Sequence, residues 1–229
     1  HPTPGDGSVA GARAVLNRAA AATDRTLVVG AIAGGGSALL AAPVPGVPLA
    51  DLGSLTDDLV RSGAPIDRIN AVRKHLSTVK GGGLARELAP ATTVGLVFSD
   101  VTSDDPSVVA SGPVSPDSTT YETARDVLST YDVDPPASVA NHLEQGVAGE
   151  GPETPGPDDD AFDDVSVHVL ADNATAVSAA SEVCAAAGFE PVVLSSSVRG
   201  DAAEAAKTHV AIAEEVRRRG TPVEPPAAI

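Results

Sequence analysis

Four short apolar runs, rich in β-branched residues and bounded by turn residues, read as buried parallel strands: 26–33, 94–99, 165–171 and 191–195. Between them the apolar spacing changes to that of helices. An Ala-rich stretch covers 10–22, and 49–62 carries Leu52, Leu55, Leu59 and Val60 at helical intervals. The 66–76 segment sets Ile66, Ile69, Val72 and Leu76 on one stripe, with Arg68, Arg73 and Lys74 off it. Further helices are predicted at 119–130, 138–145, 174–187 and 201–219; Gly188 and Gly220 stand where the last two should end. Strands alternating with helices predict an α/β, doubly wound, mainly parallel sheet. Segment 146–164 breaks the pattern with Gly, Pro and acids and is expected to be a mobile acidic surface loop.

Composition then narrows the class. The 229 residues carry a net charge of −16, hold one cysteine, and are only 2% aromatic. One Cys excludes an internal disulfide framework and a Cys-rich zinc site. So few aromatics remove the stacking platforms of single-strand nucleic-acid binders, and the acidic balance argues against a polyanion partner, so no nucleic acid is expected. The longest apolar runs are too short to span a bilayer, so no membrane partner is expected either. No basic leader followed by an apolar stretch opens the chain, and the expected location is cytoplasmic.

Charge is unevenly distributed. Residues 1–90 are net +2, 91–164 net −15, and 165–229 net −3. Only three of the fifteen basic residues are Lys, and Asp is abundant, which suits a salty, halophilic cytoplasm. The chain starts at His1, contains no Met, and ends in a Pro-rich lead-in to a small apolar run resembling a strand's start. It is expected to be truncated at both ends.

In an open α/β sheet, ligands sit at the carboxyl ends of strands. After the first strand come Gly34, Gly35, Gly36 and Ser37, where bare backbone N–H groups and a hydroxyl could meet an anion; the alternative is a tight turn. A second segment runs from Asn70 through Arg73, Lys74, His75 and Ser77 to Lys80 and the triplet Gly81, Gly82, Gly83. Arg offers a bidentate fork for carboxylate or phosphate and Lys a mobile point charge, with glycine N–H donors beside them. Lys74 reads equally well as a solvated helix charge, and His75 as a packed or surface histidine rather than a base.

A third segment follows the second strand: Asp100, then Asp104 and Asp105, then Ser111, Gly112 and Pro113. A strand-end carboxylate there could hold magnesium, or take a proton from a substrate hydroxyl; Asp104 and Asp105 could instead cap a turn. Cations, glycine donors and carboxylates together suit phosphoryl transfer. No Gly-x-Gly-x-x-Gly supports hydride transfer, and no Gly-x-Ser-x-Gly supports serine hydrolysis.

These segments, with the opening HPTPG at 1–5, resemble the MOFRL-type glycerate 2-kinase family across essentially the whole chain. Many such proteins carry the older label hydroxypyruvate reductase. The resemblance implies a Rossmann-like three-layer sandwich, with 1–229 forming most of the N-terminal domain and a C-terminal MOFRL domain as its partner. It implies ATP-dependent phosphorylation of D-glycerate to 2-phosphoglycerate, with Mg2+. By motif match, Asp100, Lys80 and Arg73 would be catalytic, with Asp100 and Asp104 on the metal. Gly34, Gly35, Gly36, Ser37, Ser77, Gly81, Gly82, Ser111 and Gly112 would bind substrate or nucleotide. Two positions depart from the family: Gly83 where Arg is usual, and Ser103 where Gly is usual. An NAD-linked hydroxypyruvate reductase and a non-catalytic small-anion-binding module are the competing expectations, and this stretch alone is expected to be inactive.

Overall fold

A computed structural model describes residues 4–101 and 105–229. They form two compact units. One holds the described residues up to Phe98 together with Asp105–Val169; the other holds those of 99–104 together with Leu170–Ile229.

The first unit opens with α1 (Asp6–Ala19), β1 (Leu27–Ala33) and the short α2 (Gly36–Leu39). It continues through α3 (Leu49–Arg61), α4 (Ile66–His75), α5 (Gly83–Leu88) and β2 (Thr92–Phe98). Next come α6 (Tyr121–Thr130), α7 (Ala137–Val147) and the start of β3 (Val165–Ala171). The fold is of the expected α/β class, a three-stranded parallel sheet flanked by helices, in the order β1-β2-β3. β1 and β2 pair in parallel from Leu27↔Thr92 to Ala33↔Phe98.

The core of this unit follows the helical stripes. Leu52, Leu55 and Leu59 of α3 meet Ile69, Val72 and Leu76 of the α4 region, with Ala124, Val127, Leu128, Val139 and Leu143 of α6 and α7 closing the cluster. Val60 and Ile66, counted with those stripes in the sequence, are exposed instead: Val60 lies one residue past the buried edge of α3, and Ile66 opens α4 behind Pro65. Ala19, Ala85, Leu88 and Val114 form a second cluster, with Val28 and Ile32 of β1 packed against it. β1 is therefore not buried on both faces as its apolar run suggests. Its exposure alternates residue by residue, leaving Leu27 and Val29 outside.

Helix α5 has no counterpart in the apolar pattern. It begins inside a glycine triplet, with Gly82 at φ +81° as its N-cap, and glycine composition conceals a helix start. The acidic segment 146–164, expected to be a mobile loop, makes specific contacts with this unit. Both Glu153 carboxylate oxygens accept from the Tyr121 N–H (3.1 and 3.0 Å), and its carbonyl accepts from Arg86 (3.2 Å). Arg86 also pairs with Asp159 at 2.9 Å, holding that carboxyl below its ordinary pKa. Pro155 is fully buried. Acid-rich composition signals solvation, but it does not reveal an arginine waiting for the acids.

In the second unit, Ser99 N–H donates to the Ala171 carbonyl at 2.8 Å. α8 (Asn173–Ala186), β4 (Glu190–Pro191), α9 (Ala202–Arg219) and β5 (Ala227–Ala228) follow. Both helices have side-chain N-caps: Asp172 Oδ1 accepts from Thr175 N at 2.7 Å, and Asp201 Oδ1 from Glu204 N at 3.0 Å. Gly188 (φ +88°) and Gly220 (φ +67°) stand at their ends, as expected. The strand expected at 191–195 is reduced to β4, which pairs in parallel with β5 as a separate two-stranded sheet. β5 lies in the run that looked like a strand starting.

Candidate functional site

The first unit gathers several of the predicted residues at the carboxyl end of β1. Gly35 is left-handed at φ +76°, which turns the chain into α2 and sets Ser37 on it. Against this turn packs a second one. Ala110 (φ 52°), Ser111 (φ 62°) and Gly112 (φ 60°) are three successive left-handed residues, an arrangement that strains the two that are not glycine. A Cβ on Gly36 would lie 3.0 Å from that of Ala110, and one on Gly112 would lie 2.8 Å from the Ser107 carbonyl.

Lys80 clamps the turns together. Its Nζ donates to the Ser37 carbonyl at 2.7 Å, to Ser37 Oγ at 3.1 Å and to the Leu40 carbonyl at 3.3 Å. Arg73, from the last turn of α4, donates Nη2 to the same Ser37 carbonyl at 3.3 Å. Ser37 Oγ lies 2.7 Å from Ser111 Oγ, which in turn donates to Asn70 Oδ1 at 3.0 Å. Ser37, Arg73, Lys80 and Ser111 therefore converge, and Gly34, Gly35 and Gly36 border them.

Burial sets the electrostatics. Lys80 is 3% exposed, and desolvation, aided by the neighbouring Arg73 charge, pulls its ammonium down to a pKa of about 7. Desolvation also lowers Arg73. Two cations share a dry corner, and among the described residues no carboxylate pairs with either, while Lys74, one residue on from Arg73, has such a partner: its Nζ meets Asp117 at 3.1 Å with both side chains buried. Lys74 is thus an interior ion pair rather than a solvated helix charge. His75 is packed, donating Nδ1–H to the Ala71 carbonyl at 2.7 Å and meeting the Tyr121 ring edge-on.

Other predicted residues play different parts. The N–H groups of Gly81, Gly82 and Gly83, read as open donors, are bonded within the fold to Ser111 O (2.9 Å), Gly112 O (2.7 Å) and Lys80 O (2.9 Å). They tie the lysine loop to the strained turn. Ser77 Oγ accepts from Val79 N–H at 3.3 Å, a local brace. At Gly83 a Cβ would collide with the Thr78 carbonyl, so this backbone has no space for a side chain. Asp100 belongs to the second unit, where it is exposed and its carbonyl accepts from Asn173 Nδ2 at 3.5 Å. Asp104 and Ser103 lie outside the described residues, and no group of three or more potential metal ligands occurs among those described.

Sequence reasoning did not single out Asn70 or Asp117. A signal for Asn70 existed: Asn70, Arg73 and Ser77 recur at i, i+3 and i+7 beside the apolar stripe of α4. Asp117 had none, since nothing in its Pro-Asp-Ser-Thr context names Lys74 as a partner.

Fold and site together define an α/β protein with a glycine turn after its first strand, braced by buried cations. A family model described as "Domain of unknown function (DUF4147)" matches residues 1–144. The chain belongs to this family, the N-terminal domain of the glycerate 2-kinase/MOFRL proteins. It is 38% identical over its whole length to a glycerate 2-kinase of Pyrococcus horikoshii, covering 52% of that protein, and 38% identical to a putative hydroxypyruvate reductase of Agrobacterium vitis, covering 57%. A crystal structure of glycerate kinase from Thermotoga maritima superposes with a TM-score of 0.79 at 35% identity, covering 99% of this chain and 52% of that one. The chain spans about half the length of the curated relatives it matches and is homologous to the N-terminal half of glycerate 2-kinases.

Proposed function

We propose that the protein containing this chain is a glycerate 2-kinase, transferring phosphate from ATP to the 2-hydroxyl of D-glycerate. The chain would supply one wall of the site, and a second, MOFRL-type domain the other. The observation that carries the reading is the convergence of Ser37, Arg73, Lys80 and Ser111 on one glycine turn. Phosphoryl transfer asks a protein mainly to position charge and neutralise it, and a desolvated guanidinium beside a backbone turn does both for a carboxylate or phosphate.

Arg73 grips an anionic oxygen, the Gly34–Gly36 backbone approaches it closely, and Lys80 adds its charge from behind. Asp100 is an exposed oxygen donor after β2. It fits one ligand position of Mg2+, which takes one or two carboxylates and fills its shell with phosphate oxygens and water. The metal would neutralise charge on the transferred group. The hydroxypyruvate reductase reading has the Agrobacterium name in its favour, but the turn after β1 is Gly-Gly-Gly-Ser rather than a dinucleotide fingerprint.

The test is made on the full-length protein. Phosphorus NMR should show ATP-dependent formation of 2-phosphoglycerate from D-glycerate, and Asp100→Asn should cut turnover by at least about 100-fold. Near-normal turnover by that variant would remove Asp100 from the chemistry. NADH oxidation with hydroxypyruvate in place of phosphorylation would overturn the kinase reading.

A further inference from the structure

A chain of polar groups leads from Lys80 into the core, and its direction is readable. Asn70 is 4% exposed, and its Oδ1 can only accept, so Ser111 donates its proton there at 3.0 Å. The remaining contact of Ser111 Oγ, 2.7 Å to Ser37 Oγ, is then one in which Ser37 donates. Ser37 Oγ is left with lone pairs for Lys80 Nζ at 3.1 Å. With the Ser37 and Leu40 carbonyls, three acceptors face Nζ, one for each proton of an ammonium. A lysine with every proton so placed has none pointing at a ligand.

We propose that Asn70 is a positioning residue that fixes the direction of this chain. By accepting from Ser111 it keeps Ser37 an acceptor toward Lys80, holds Lys80 as an inward-facing ammonium that braces the glycine turn, and leaves Arg73 as the cation that contacts an anionic ligand. The assignment of Arg73 rests on the ligand reading of the turn; the rest does not. The charged group facing Lys80 is Arg73 of α4. Next along the chain, Gly81 packs against Lys74 and Asp117, which are paired with each other.

The chain has three lysines, Lys74, Lys80 and Lys207, so 13Cε-lysine NMR can follow Lys80 alone through a pH titration. Asn70→Ala removes the terminal acceptor, frees the chain to reverse, and should lower the Lys80 midpoint from about 7. Asn70→Asp can only accept and adds a negative charge, so it should raise the midpoint by about one unit, a tenfold change in the proton equilibrium. A role limited to packing would leave the midpoint unmoved in Asn70→Ala, and that result overturns the proposal, as does a fall in Asn70→Asp. Should Asn70→Ala not fold, Ser111→Ala cuts the same chain one link further on, and an unmoved Lys80 midpoint there overturns the proposal.

A second arm uses calorimetry with D-glycerate and with sulfate, neither of which titrates near neutrality. Arg73→Gln should abolish binding, and Asn70→Ala should weaken it about tenfold at pH 7. Binding that survives Arg73→Gln overturns the assignment of Arg73. Failure of the unaltered protein to bind either anion overturns the ligand reading, while the lysine titration still decides Asn70.

Discussion

The two units differ sharply in how they use apolar residues. The first buries Leu52, Leu55, Leu59, Val72, Leu76, Val139 and Leu143 almost completely, most of them from the three helices α3, α4 and α7. In the second, Val216 is the one buried hydrophobic among the described residues, and α8 buries none. Val183 is 69% exposed and Val210 58%, and a cavity of about 260 Å3 opens beside Cys184, Val193 and Leu194. The second unit nevertheless has well-made local structure: Asp caps, glycine stops, and Arg218–Glu214 and Arg219–Glu215 pairs four residues apart. Good local signals form helices. They do not supply the burial that stabilises a fold.

Three measurements would break or sharpen this contrast, the largest effect first. Hydrogen exchange of the 229-residue chain should be at least about 100-fold faster in α8 and α9 than in α4 and α6, because few tertiary contacts oppose local opening. Equal protection would end the comparison. Next, Leu59→Ala should cost about 2–5 kcal/mol by denaturant unfolding, whereas Val183→Ala should stay within about 0.5 kcal/mol. A large loss at Val183 would mean that α8 is packed.

The third concerns Lys80. Its folded pKa of about 7 lies below the ordinary 10.5, so between those values the unfolded chain binds more protons than the folded one. Its penalty is complete below pH 7 and relieved as pH climbs toward 10.5. From pH 7 to 10 the stability of the unaltered protein should rise relative to Lys80→Met by a few kcal/mol or less, in the unfolding of the first unit. A gap that ignores pH would mean the ammonium is solvated.

Much of this was legible in the residues. The strands at 27–33, 92–98 and 165–171 and most helices were visible from apolar spacing, because burial on one side leaves a periodic trace. What failed to show was what depends on partners distant in sequence. Segment 191–195 has a strand's composition, yet only Glu190 and Pro191 form β4, since strand formation needs a neighbouring edge. Arg73, Lys80, Ser37 and Ser111 could be picked out by residue type, but not the acceptor set that turns every Lys80 proton inward. The glycine triplet at 81–83 suggested open donors. Pairing with Ser111 and Gly112 reverses that meaning, and no local pattern announces it.

The meeting of the two turns has a mechanical consequence. Gly36 faces Ala110 with no space for a Cβ of its own, since one there would lie 3.0 Å from the alanine's, and Ser37 Oγ meets Ser111 Oγ at 2.7 Å. Residues 110–112 are wound in the left-handed sense and pinned through Ser111 and Gly112 to the lysine loop. An unbroken run of hydrogen bonds therefore joins the turn at one end of β1 to Gly81 and Gly82 at the start of α5, so the anion-facing backbone and the lysine loop share one frame.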